Sequence, residues 1–179
     1  MKNIVIVCLI LISTLIVLPT LGAVANSKTI NVDEQKVVYQ LPYPGILADH
    51  PLYPIKKLRD SILIFTTRDT LKKSELYHHL SDKHIAIAVQ LADKGKEQLA
   101  INEFILSEEY FSKAPSLLRE SKKQGVAPTN DFITKLYQSN SKHAEIITEF
   151  LKKTTQANID TLDSLLKKNK AIRHDIGQI

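Results

Sequence analysis

The sequence predicts an all-α fold, an antiparallel helical bundle, and three observations predict it. After Pro54, apolar residues recur at spacings of three and four, the period of a helix face. After residue 45 no alternating apolar and polar stretch bounded by turn residues occurs, so no strand is expected. Gly95, Gly125 and the run Pro128-Thr129-Asn130 fall at the joints between periodic stretches, where helices stop and start.

The chain opens with Lys2, an apolar run from Ile4 to Leu18, then Pro19 and Ala23-Val24-Ala25. A positive tip, an apolar core and alternating small residues make a secretory signal peptide over residues 1–25, cut after Ala25. With Thr20 to Ala25 the segment approaches the roughly 20 apolar residues that span a bilayer, so retention as an anchor is the alternative. The expected location is extracytoplasmic: secreted, periplasmic or at the cell surface, with membrane contact only through an uncut N-terminus. Cys8, the single cysteine, lies in this signal, which leaves the remaining chain without disulfides or thiol chemistry.

Asn26 to Gln40 is polar and β-branched without helical period and is expected to be an extended or disordered tether. It leads into a turn-rich segment, Leu41-Pro42-Tyr43-Pro44-Gly45, so that residues 26–48 precede a helical domain over 49–176. The prolines of Asp49-His50-Pro51-Leu52-Tyr53-Pro54 exclude helix until the last of them, which suits a first helical turn.

The first helix carries the seam Ile55, Leu58, Ile62 and Phe65, with Lys56, Lys57, Arg59 and Asp60 pointing elsewhere, and ends near Thr66. It is expected to pack across one end of the bundle. Asp69 caps a second helix running to Lys94, with the seam Tyr77, Leu80, His84, Ile87 and Leu91. Gly95 closes it. The third helix presents Leu99, Ala100, Phe104, Leu106, Tyr110 and Phe111; Pro115 must kink or break it before Gly125. Thr129 or Asn130 caps a fourth, with Ile133, Leu136, Tyr137, Ala144, Ile147, Phe150 and Leu151. After a falter at Thr154-Thr155-Gln156, Ile159, Leu162, Leu165, Leu166 and Ile172 mark a fifth helix or the far half of one bent helix. Short joints make the neighbours antiparallel and give three long helices, flanked by a short N-terminal and a C-terminal one.

The net charge of +5 is spread as lysines interleaved with acids, without the dense arginine stripe or stacking aromatics of a nucleic-acid binder. There is no Gly-x-Ser-x-Gly, no His-Glu-x-x-His and no phosphate-cradling loop, so neither an enzyme nor a cofactor is expected.

Three sets of residues are candidates for function. Glu75, His78, His79 and Asp82 fall within about 100° of one another on the second helix, the residue types of a metal site. They lie off its apolar seam, so the competing reading is a solvated polar face. His84 sits inside the seam, where burial would hold the imidazole neutral and acid would charge it and loosen the core; a hydrogen-bonded core histidine is the alternative. Phe104, Tyr110, Phe111 and Phe150 could line a groove between the third and fourth helices or simply be core. Tyr53, in Leu52-Tyr53-Pro54, is either part of an exposed binding element or a staple of the first helix onto the bundle.

The segment Pro44-Gly45 … Asp49-His50-Pro51-Leu52-Tyr53-Pro54-Ile55-Lys56-Lys57-Leu58 resembles the opening of the bacterial domain-of-unknown-function family DUF5667. Lys73-Ser74-Glu75-Leu76-Tyr77, Ile85-Ala86-Ile87-Ala88 and Lys94-Gly95-Lys96 continue the likeness, which covers residues 42–115, with Ile55 and His84 departing from the usual pattern. The resemblance implies an exported or membrane-anchored helical domain and supplies no catalytic residues. The function expected is a non-catalytic interaction module for a protein partner or envelope component. A periplasmic chaperone or envelope-stress sensor, and a metal-binding protein using the second-helix histidines, are the alternatives.

Overall fold

Two helix starts and two helix ends fall where the sequence places a capping residue. In the computed structural model, which describes residues 36–179, α1 spans Tyr53–Thr66, α2 Thr70–Asp93, α3 Glu97–Phe111, α4 Lys113–Lys123, α5 Asn130–Leu151 and α6 Ile159–Ile176. The signal or anchor over 1–25 and the tether up to residue 35 lie outside the described residues. The Asp69 carboxylate accepts the Lys72 N–H at 2.8 Å, and the Thr129 hydroxyl accepts the Phe132 N–H at 3.2 Å, satisfying donors at the starts of α2 and α5. Gly95 and Gly125 take positive φ, +72° and +84°. Each lets the chain reverse so that the next amide returns to the helix, Lys96 N–H to the Leu91 carbonyl at 2.8 Å and Val126 N–H to Ser121 at 3.0 Å.

Pro115 breaks the third predicted helix one turn upstream of itself. A proline ring collides with the carbonyl four residues earlier, here Phe111, where α3 ends; α4 restarts with Pro115 in its first turn. The last two helices are separate, joined through a short 3-10 turn at Gln156–Asn158 that Glu97 secures by accepting from Thr154, Thr155 and Asn158.

Four helical segments close the bundle, the three long ones expected and the C-terminal α6, which packs into the core. The α3/α4 segment packs on α2, α6 on α5, and α3 on α6 while α2 meets α5, making a ring of helices. Two apolar clusters fill it. One gathers Ile85, Ile87, Leu91, Phe104, Ile147, Leu162 and Leu165; the other gathers Phe111, Leu118, Leu136, Ile172 and Ile176.

Two expectations are corrected. The seam of α1 faces outward: Ile55, Leu58, Ile62 and Phe65 are 63, 62, 54 and 73% exposed, while Tyr53, Lys56 and Asp60 are buried. The reason is polar. Lys56 donates to the Pro44 and Ile46 carbonyls, each at 3.0 Å, and Tyr53 donates to Glu103 of α3 at 2.6 Å, so the preceding loop and α3 hold the polar edge inward. Burial lowers the Lys56 pKa to about 8. Residues 36–40, expected to be tether, are extended but fastened to the bundle: Tyr39 donates to Asp82 at 2.5 Å and Val37 N–H to Glu145 at 2.6 Å. The compact unit accordingly begins at Lys36.

Candidate functional site: a sealed polar layer and an open groove

Between the two apolar clusters lies a layer of buried polar side chains with a member from every wall of the bundle. Asp82 comes from α2, Glu108 from α3, Ser139, Asn140 and His143 from α5, and Asn169 from α6. His143 is its centre. Nε2 lies 3.0 Å from the Asp82 carboxylate and Nδ1 2.9 Å from Glu108, so both nitrogens donate and the ring is an imidazolium. Burial alone would strip its proton; the hydrogen bonds to Asp82 and Glu108 outweigh it and raise the pKa to about 9.

Asp82 is likewise opposed by burial, but His143, His78 and the Ser139 hydroxyl at 2.5 Å lower its pKa to about 2. Asn140 and Asn169 exchange side-chain-to-carbonyl bonds at 3.0 and 3.1 Å, locking α5 to α6. Among the described residues no buried side-chain nitrogen or oxygen lacks a partner. A fully satisfied layer of this kind fixes the register of the helices, because sliding one helix would strand charges in apolar surroundings.

The second-helix candidates separate. Glu75 and His79 are exposed, whereas His78 and Asp82 are buried, correcting the reading of all four as a water-facing set. The closure of α5 over that side of α2 is the cause. His78 packs between the Phe111 and Phe132 rings, at 5.6 and 5.7 Å between centroids, and burial lowers its pKa to about 4. Among the described residues no three histidine or carboxylate side chains converge as metal ligands. Nor is Ser139 an activated nucleophile: it donates to Asp82, and the imidazolium of His143 has no lone pair with which to act as a base.

His84 is buried in the seam, paired with a carboxylate. Its Nδ1 lies 2.6 Å from Glu103, whose other oxygen accepts from Tyr53. An isolated histidine could be replaced by leucine with gain; this one cannot without stranding Glu103. Tyr53 is thus a buried brace and not an exposed contact, while Leu52 remains half-exposed.

The predicted aromatic groove is divided by the break at Ser112. Phe111 is buried in the lower apolar cluster, and Tyr110 is half-buried against Tyr77 and His84 at 5.7 and 5.2 Å. Phe104 and Phe150 do meet, centroids 5.1 Å apart, at the floor of an open pocket of about 280 Å³ near Gly95. Val89, Ala92 and Ile146 complete its apolar wall; Asp93, Glu97 and Glu149 stand on its rim with Lys153. The hydrogen bond from Thr154 holds the Glu97 pKa below its ordinary value, so that rim carboxylate stays charged.

Sequence reasoning missed Glu103, Glu108, His143 and Asn169, although the last two had a signal. His143 lies seven residues after Leu136 and four before Ile147, on one helical stripe; Asn169 lies four after Leu165. Among the described residues no helix is long and apolar enough to cross a membrane.

The fold and site define a helical bundle with a layer of ionisable groups sealed inside and a concave, aromatic-floored groove outside. The chain belongs to the DUF5667 family, a domain of unknown function, whose profile matches residues 45–171, from ahead of α1 into α6. No curated protein and no solved structure matches it.

Proposed function

We propose that this domain is a non-catalytic, extracytoplasmic interaction module that receives an apolar side chain of a partner protein in the Phe104/Phe150 groove. The observation that carries this is the contrast between the two sites. The ionisable groups of the central layer are buried and mutually committed, while the groove is open, floored by two aromatic rings and bordered by three acids, Asp93, Glu97 and Glu149, against one cation, Lys153. An aromatic floor supplies dispersion and apolar area at small entropic expense, and an acidic rim selects a lysine or arginine beside the inserted side chain. The occupant is therefore a partner segment with an apolar residue next to a basic one.

Panning a displayed random-peptide library on the full chain tests this, with Ala92→Trp as the counter-selecting variant, since the indole would fill the groove. Enriched peptides should carry that pairing and lose at least tenfold in affinity for the variant, the scale of a lost hot-spot contact. Peptides that bind wild type and Ala92→Trp equally would overturn the reading.

A further inference from the structure

The outward face of α1 is a second surface, distinct from the groove. We infer that it rests on an anionic lipid surface, with α1 lying parallel to the membrane plane and its apolar side chains among the headgroups. A short helix that turns Ile55, Leu58, Ile62 and Phe65 to solvent while burying a lysine and an aspartate gains nothing from that face inside the bundle. Leu52 and Leu63, 48 and 46% exposed, widen it. At 3.6 residues per turn the exposed arc from Phe65 to Leu63 covers about 160°, apolar except for Thr66 and Arg59, and is broader than the two-position seam that suits a partner helix.

Charge selects among the flat occupants. Lys57, Arg59 and Arg68 stand exposed on the outer side, whereas Lys56 is turned inward onto the Pro44 and Ile46 carbonyls. The single acid of α1, Asp60, is buried and held by Arg59 at 2.6 Å, so the charges that α1 itself turns outward are cations. The Arg68 guanidinium lies 5.7 Å from the centroid of the Phe65 ring, an arrangement in which the ring enters the acyl boundary and the cation stays with phosphate. A second copy fits less well. Its cations would oppose the same cations across a two-fold contact. Apolar area joined to basic charge is the signature of binding to anionic lipid.

The chain has no tryptophan, so Phe65→Trp gives the full-length protein a single reporter on this face. Its emission is followed with vesicles of brominated phosphatidylglycerol and, separately, brominated phosphatidylcholine. The expected result is a blue shift with loss of at least about half the emission in the anionic vesicles and little change in the zwitterionic ones. Adding Ile62→Asp, or Lys57→Glu with Arg68→Glu, should abolish the quenching while the helical circular dichroism is unchanged. Blue-shifted emission without lipid that reddens on dilution would assign the face to a second copy and overturn the inference. Water-exposed emission in every vesicle, or equal quenching by both lipids, would also overturn it.

Discussion

Replacing His143 by leucine keeps the volume of the bundle's centre but removes the only cation between Asp82 and Glu108. The structure sets the size of the effect. His143 is fully buried and donates to carboxylates on α2 and α3 at 3.0 and 2.9 Å, so the substitution leaves two buried acids facing each other. Breaking a buried pair from one side costs about 3–5 kcal/mol. Linkage gives a consistent figure. The pKa of His143 rises from 6.5 to about 9 on folding, equivalent to about 3 kcal/mol.

The sign follows from proton counting. Above pH 6.5 the unfolded imidazole loses its proton while the folded one keeps it, so folding stability falls as pH rises from 6.5 towards 9. The contribution is complete below 6.5. Lys56, with its folded pKa of about 8, acts in the opposite direction at higher pH, so the clean window is between 6.5 and 8. Guanidinium denaturation followed by circular dichroism at intervals of pH is the assay. His143→Leu should lose about 4 kcal/mol at pH 6.5, and the alkaline decline should disappear with it. A loss under about 1 kcal/mol, or a decline that survives the substitution, would refute the imidazolium assignment.

Other consequences are accessible to the same assay. His78, kept neutral by burial with its pKa lowered to about 4, should make stability fall as pH drops from 6.5 to 4, by about 3 kcal/mol in total, and His78→Phe should flatten that limb. His84→Leu should destabilise by about 3 kcal/mol or more by stranding Glu103; an increase in melting temperature would show that the pair contributes nothing. Tyr39→Phe removes the 2.5 Å bond to Asp82 and should cost about 2 kcal/mol, read together with faster proteolysis near residue 36. Gly125→Ala meets no atom within 4 Å, so its expected cost of about 1–2 kcal/mol comes from the left-handed backbone alone.

Local punctuation was readable in the sequence wherever the physics is local. Asp69, Thr129, Gly95 and Gly125 act on amides and carbonyls within a few residues, and each ended or started a helix where expected. The orientation of α1 was not readable. A three-four spacing says which residues share a face and nothing about which side the rest of the chain covers. That choice was made by the Pro44 and Ile46 carbonyls and by Glu103, which Lys56 and Tyr53 reach only after folding. The same holds for His78 and Asp82. Off the seam they read as solvated, and only the closure of α5 over a second side of α2 buries them. Conversely, the pairing of Phe104 with Phe150 was anticipated from aromatic density, whereas the break at Ser112 sent Phe111 and Tyr110 elsewhere.

The interaction reading stands or falls on whether the groove is occupied in cells. A photo-crosslinking residue in place of Glu149 on the rim, with a control in place of Lys123 at the opposite end of the bundle, tests it directly. The account predicts one dominant adduct at Glu149, joined through a peptide that carries an apolar residue beside lysine or arginine and lost on adding Ala92→Trp. Equal adducts at both positions, or an adduct at Glu149 that survives Ala92→Trp, would contradict it.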